Sequence, residues 1–162
     1  MRVTSLILAT LLFSACSMRT GSVAGVTGNV HQSSTEDFDV TIVQSNAPMV
    51  MSDQTSVDVL FEITVRNRTR QPYTIERVTL ESMGGGSYAV PLSSREYKRT
   101  IAPAATEALK FWATTNLEGA AINARVPLTI RATIEAANGE GEQRREVFTA
   151  RLNGHVGLTA SR

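Results

Sequence analysis

Val57-Asp58-Val59-Leu60-Phe61-Glu62-Ile63-Thr64-Val65-Arg66 alternates apolar and polar side chains with a period of two. All five odd positions are apolar, and of the even ones only Leu60 is not polar. A helix would need its apolar residues three and four apart, so this stretch predicts a strand with one buried face. Its β-branched residues suit a pleated surface. The second stretch of equal regularity is Arg125 to Ala137, where Val126, Leu128, Ile130, Ala132, Ile134 and Ala136 alternate with Pro127, Thr129, Arg131, Thr133 and Glu135. Pro127 is tolerable because the first residues of a strand need not donate to a ladder. These two strands are expected to be central. Phe61 and Ile63 should then supply a core layer that faces or adjoins one from Ile130 and Ile134.

Working outward, Phe38, Val40 and Ile42 alternate with Asp39 and Thr41, which predicts a strand before the loop of Asn46, Pro48 and Asp53. After Val65 the run Asn67-Arg68-Thr69-Arg70-Gln71-Pro72 reads as a turn. Arg66, Arg68 and Arg70 are read as a solvated charged loop and not as a phosphate site. Tyr73 to Ser82 is extended again, but its parity slips: Ile75 lies on one face, Val78 and Leu80 on the other. A β-bulge near Glu76-Arg77 accounts for the slip. Gly84-Gly85-Gly86 reads as a tight, mobile hairpin connection to a strand over Tyr88, Val90 and Leu92, since nothing helical follows that would make it a phosphate loop. Ser93 to Thr106 reads mostly as loop, with Tyr97 and Ile101 packing back and a turn at Ile101-Ala102-Pro103-Ala104. Glu107 to Thr114 is a strand with Leu109, Phe111 and Ala113 on one face and Lys110 and Trp112 on the other. Leu117 to Ala124 reads as one helical turn or a loop. Asn138-Gly139-Glu140-Gly141 is a strong hairpin signal, and Arg144 to Leu152 returns with Phe148, Ala150 and Leu152 inward.

About seven strands and no amphipathic helix of ten residues or more predict an all-β protein: one antiparallel β-sandwich over residues 37–153, with a polar tail over 154–162. In size and strand count the domain resembles immunoglobulin-like and fibronectin type III-like sandwiches. The Cys…Trp…Cys pattern of true immunoglobulin domains is missing, and Trp112 falls on the fifth candidate strand. A chain of this length buries over ~60% of its extended surface and needs no disulfide to fold.

Residues Met1 to Ala15 have a secretory layout: Arg2 as a positive start, an apolar run from Val3 to Phe13, then the small pair Ser14-Ala15. The run is too short to span a bilayer, which takes roughly 20 apolar residues. Phe13-Ser14-Ala15-Cys16 resembles the lipobox of bacterial lipoproteins, although Phe13 stands where that family usually has Leu. The resemblance implies a signal peptide over 1–15 and lipidation of Cys16, the single cysteine of the chain. It also implies a membrane partner, held through the lipid. Ser17, standing where Asp would signal inner-membrane retention, implies the outer membrane, with the domain facing the periplasm. Residues 16–36, rich in Ser, Gly and Thr, read as a flexible tether spanning about 25 Å.

Arg2 is the single charge in residues 1–15, so its loss leaves fifteen basic side chains against fifteen acidic ones, from sixteen and fifteen in the full sequence. That balance argues against a nucleic-acid partner, which favours a basic excess. The two histidines, His31 and His155, sit in segments read as tether and tail and make no ligand cluster. No Ser has a His within plausible reach to form a nucleophile pair. No catalytic residue, metal or cofactor is therefore expected. The function expected is a non-catalytic binding or structural module of the cell envelope. The alternatives are a partner in envelope assembly that engages another envelope protein through an exposed sheet edge and, behind it, a hydrolytic enzyme.

Overall fold

The computed structural model describes residues 31–50, 53–117, 126–154 and 156–158. In chain order the strands are β1 (His31–Ser34), β2 (Phe38–Gln44), β3 (Met49–Val50), β4 (Ser56–Asn67), β5 (Tyr73–Ser82) and β6 (Tyr88–Ala89). They continue as β7 (Ser93–Ile101), β8 (Thr106–Leu117), β9 (Pro127–Asn138), β10 (Gln143–Asn153) and β11 (Gly157–Leu158). Nine of them form two antiparallel sheets, ordered β1-β2-β4-β8-β6 and β10-β9-β5-β7. β11 pairs with β3 in a small parallel ladder. Among the described residues there is no helix.

The period-two stretches are the middles of the two sheets. β4 lies between β2 and β8, and β9 between β10 and β5. Phe61, Ile63, Ile130 and Ile134 are all buried in one continuous core, together with Phe38, Ile75, Leu80, Phe111 and Phe148. Phe38 of one sheet meets Tyr73 of the other edge-on, ring centroids 5.6 Å apart, a favoured aromatic geometry. The expected bulge is present: Ile75 pairs with Ala136 but Arg77 with Glu135, so Glu76 is the extra residue. The hairpin after β9 closes when Gly141 N–H donates to Asn138 O (3.1 Å), with Gly141 in the left-handed region at φ 81°. A glycine meets that backbone requirement without steric cost.

Several elements differ from the sequence reading. Ser93 to Ile101, expected as loop, is a nine-residue edge strand. The strand expected over Tyr88 to Leu92 contracts to two residues that pair with β8. The Gly84-Gly85-Gly86 segment is therefore no hairpin: it carries the chain from the end of β5 in one sheet to β6 in the other. Gly86 passes so close to β9 that a Cβ there would lie 2.6 Å from Leu128 Cβ. Part of the expected tether is ordered, since β1 pairs with β2. The expected polar tail is tied down too: Ser87, itself buried, donates its hydroxyl to Gly154 O (3.0 Å), and Val156 is fully buried. Of the segment expected as a helical turn or loop, Leu117 ends β8 and pairs with Tyr88, and residues 118–124 lie outside the described residues.

Candidate functional site

Both seams between the sheets are closed by side chains, and this decides which surfaces remain open. At one seam the inward face of β7 carries Arg95, Tyr97 and Arg99 instead of apolar residues. Arg95 donates through Nε and Nη2 to Trp112 O (2.8 and 2.6 Å) and stacks on the Phe111 ring, 5.5 Å from its centroid. Tyr97 donates its hydroxyl to Lys110 O (2.9 Å), and Arg99 faces Glu107 at 3.9 Å. Burial pushes the Tyr97 phenol up, while neighbouring Arg95 pulls it down. These contacts occupy outward carbonyls of β8 that would otherwise be open to strand addition. At the other seam β10 points Arg144 and Glu146 inward. Thr35 donates its hydroxyl to the Glu146 carboxylate. Arg144 Nε lies 3.1 Å from Asp37 Oδ2, but its N–H is not aimed at the oxygen, so the attraction is Coulombic and no hydrogen bond forms.

The surface left open with organised chemistry is the outer face of the four-stranded sheet. The bulge turns both Glu76 and Arg77 outward. Arg77 then sits in a row that crosses all four strands, where the register places Arg145, Glu135, Arg77 and Glu96 side by side. The ion-pair distances along it are 3.6, 3.5 and 3.2 Å. Hydroxyl pairs flank the row, Thr74 with Thr100 and Thr79 with Ser94, each at 2.8 Å. Four residues further along β9 and β5, Arg131 pairs with Glu81. Three adjoining hollows, of about 560, 360 and 560 Å³, all take a wall from Arg77 and Glu135. Exposed ion pairs contribute only about 0–1 kcal/mol each, so folding alone gives little reason for this row. Leu92 and Val147, exposed apolar side chains, border the same face.

Of the residues singled out in the sequence, Arg66 and Arg68 converge on Asp39, at 3.9 and 3.5 Å, and all three arginines of that turn are exposed. Glu140 and Glu142 are at the hairpin tip, where Glu142 accepts from Tyr73 (3.2 Å) and Asn138 (3.1 Å). Trp112 is exposed on the outer face of the five-stranded sheet, beside Leu60. Cys16, His155 and residues 1–15 lie outside the described residues, and His31 is described only in its backbone pairing with Ile42. Among the described residues no group of three or more potential metal ligands occurs, and no helix is long and apolar enough to cross a membrane. The row itself was not legible beforehand, because its members come from four strands whose order the sequence does not state. The parity slip at Glu76-Arg77 was its one visible sign.

No protein-family model matches the chain, and no curated protein matches its sequence. Solved structures do. A Northeast Structural Genomics Consortium target is similar over 74% of this chain and 88% of its own, at 10% identity and a TM-score of 0.53. A protein from Archaeoglobus fulgidus is similar over 75% of this chain and 94% of its own, at 19% identity and a TM-score of 0.43. The first likeness shows a shared β fold and nothing about activity.

Proposed function

We propose that this chain is a lipid-anchored, non-catalytic binding or structural module of the bacterial cell envelope, held at the outer membrane through Cys16. Its contact surface in this reading is the outer face of the four-stranded sheet. The observation that carries the reading is the row Arg145–Glu135–Arg77–Glu96, set on rigid strands and centred on a bulge. Bulges recur where a side chain is re-aimed for a purpose, and sites built on strands are held more firmly than sites on loops. The anchor rests on the lipobox resemblance at Phe13 to Cys16. Two or three acyl chains on one residue give firm attachment, at about 0.8 kcal/mol per buried CH₂. Of the two sandwich types, fibronectin type III-like is the better supported. In the immunoglobulin constant order the fourth strand pairs with the fifth. Here, counting from β2 and passing over the two-residue strands, the fourth strand is β7, and it pairs with the third, β5. Strand addition at an edge is less well supported, because β7 carries Arg95, Glu96, Lys98 and Arg99 along its length, the kind of charge that blunts an edge.

Two measurements test the proposal in cells. Cys16→Ser abolishes labelling by a palmitate analogue, and equal labelling of the mutant and the parent sinks the anchor. A photo-cross-linker at Thr133, on the outer face of the four-stranded sheet, yields adducts in intact cells, whereas one at Thr64, on the outer face of the other sheet, does not. Adducts from Thr64 alone overturn the choice of face.

A further inference from the structure

The charge pattern on this face has a symmetry that identifies an occupant. Read across the sheet from β10 to β7, the row is positive, negative, positive, negative. A two-fold axis parallel to the strands, lying in the plane of contact, reverses that order in a second copy laid face to face. Arg145 then opposes Glu96 of the second copy, Glu135 opposes Arg77, and both relations occur twice. The next charged row obeys the same operator: Arg131 on β9 and Glu81 on β5 exchange places across the axis. An axis perpendicular to the strands and passing through the four-residue row would instead set like charges against each other, and one midway between the two rows would leave Arg145 and Glu96 without a charged partner. The exposed apolar side chains fit as well. Val147 is 55% exposed on β10 and Leu92 is 70% exposed beside β7, at opposite edges. The operator brings Val147 of one copy to the edge where Leu92 of the other lies, about one residue pair away along the strand, or ~7 Å.

We infer that the outer face of the four-stranded sheet is a self-complementary surface through which two copies of this chain associate. The inference rests on the reading of this face as a contact surface and names its partner. The two rows hold three arginines and three glutamates. A partner of one sign, such as nucleic acid or an anionic bilayer, finds no net complement there, whereas a second copy does. Four strands about 4.8 Å apart and about ten residues long at ~3.3 Å each form a face of roughly 600 Å². A standard interface takes about 800 Å² from each partner. The association is therefore weak and reversible, isologous in form, and weakened by salt because its charges are exposed.

Sedimentation equilibrium of the full-length chain in a non-ionic detergent tests this. The wild type forms dimers at low salt and dissociates as salt is raised. Glu96→Arg sets an arginine against Arg145 twice per dimer and weakens association about ten-fold or more, since like charges across an interface are costly. Arg145→Glu does the same against Glu96. The double variant Arg145→Glu/Glu96→Arg reads negative, negative, positive, positive, which is again complementary to its own reverse, and it recovers the wild-type constant. All of these positions are exposed, so circular dichroism should be unchanged. A wild type monomeric at every concentration overturns the inference, as do single variants that dimerise normally or a double variant that fails to recover. Monomers in solution combined with cellular adducts from Thr133 to a different protein refute the second copy and leave the contact face standing.

Discussion

Phe61 and Glu62 are neighbours in the chain and opposites in the fold. Phe61 is fully buried beside Tyr88, ring centroids 6.5 Å apart, while Glu62 is on the outer face of the same strand. Truncation of a buried ring leaves a cavity that the close-packed core refills only in part. Phe61→Ala is expected to cost roughly 3–5 kcal/mol, and Glu62→Ala to stay within about 0.5 kcal/mol. Urea melts measure both, and equal midpoints would contradict the parity on which the fold rests. This contrast is legible in the sequence because period two ties each residue to a face. The polar interior is not legible that way. Asn67 is wholly buried, and its amide donates to Gln71 O (2.7 Å) and Ile101 O (3.1 Å) while its oxygen accepts from Thr69 N–H (2.9 Å). Its position at the end of an apolar run looks like an ordinary turn residue. Only the arrival of Ile101 from 34 residues away completes its set of partners and allows burial.

At the scale of elements, strands that feed the core announce themselves and strands that seal it do not. β4 and β9 alternate because one face meets apolar neighbours and the other meets solvent. β7 has no such contrast: its inward residues Arg95, Tyr97 and Arg99 cap β8, and its outward ones are solvated, so its sequence looks like a loop. β6 fails for the converse reason, since Tyr88 and Val90 are buried but only Tyr88 and Ala89 find a ladder. β10 mixes both jobs, with Phe148, Ala150 and Leu152 in the core and Glu146 at the seam. Burial raises the pKa of Glu146, the Thr35 hydroxyl opposes that shift, Asp37 adds to it, and Arg144 pulls against it. A group whose folded pKa is raised lends its stability at low pH and loses it as pH rises through that pKa. Stability should therefore increase as pH falls from neutral toward the ordinary glutamate range near ~4.3. Glu146→Gln removes the ionisation, so it should raise the urea midpoint at neutral pH and flatten that part of the profile. A lower midpoint at neutral pH, with the slope unchanged, would show that the carboxylate stabilises the seam.

For the whole molecule, the alternation predicts a sandwich over residues 37–153, and the structure has a strand before that range and a strand after it. The C-terminal addition is the more consequential. Gly154 fits against Ser87, Tyr88 and Leu128 so closely that a Cβ there would lie 2.6 Å from Leu128 Cδ2 and 3.0 Å from Tyr88 Cε1. Its carbonyl accepts the hydroxyl of buried Ser87, which in turn accepts from Val126 N–H at 3.0 Å. Val156 adds a fully buried side chain, and β11 then pairs with β3. Together these contacts close the end of the sandwich where the chain crosses from β5 to β6. A chain ending at Asn153 would lose the burial of Val156, about 1.5–3 kcal/mol. It would also take one acceptor from Ser87, whose hydroxyl keeps Val126 O at 3.3 Å, so this loss is that of one net hydrogen bond, about 0.5–1.5 kcal/mol. The truncated chain is expected to unfold at distinctly lower urea than the parent, by a sum that is a large part of the ~5–15 kcal/mol a domain possesses. Val156→Ala isolates the packing share and should lower the midpoint by a smaller amount in the same direction. If the truncated chain and the parent melt together, residues 154–158 do not hold the end of the sandwich, and the domain ends at Asn153 as its alternation alone suggests.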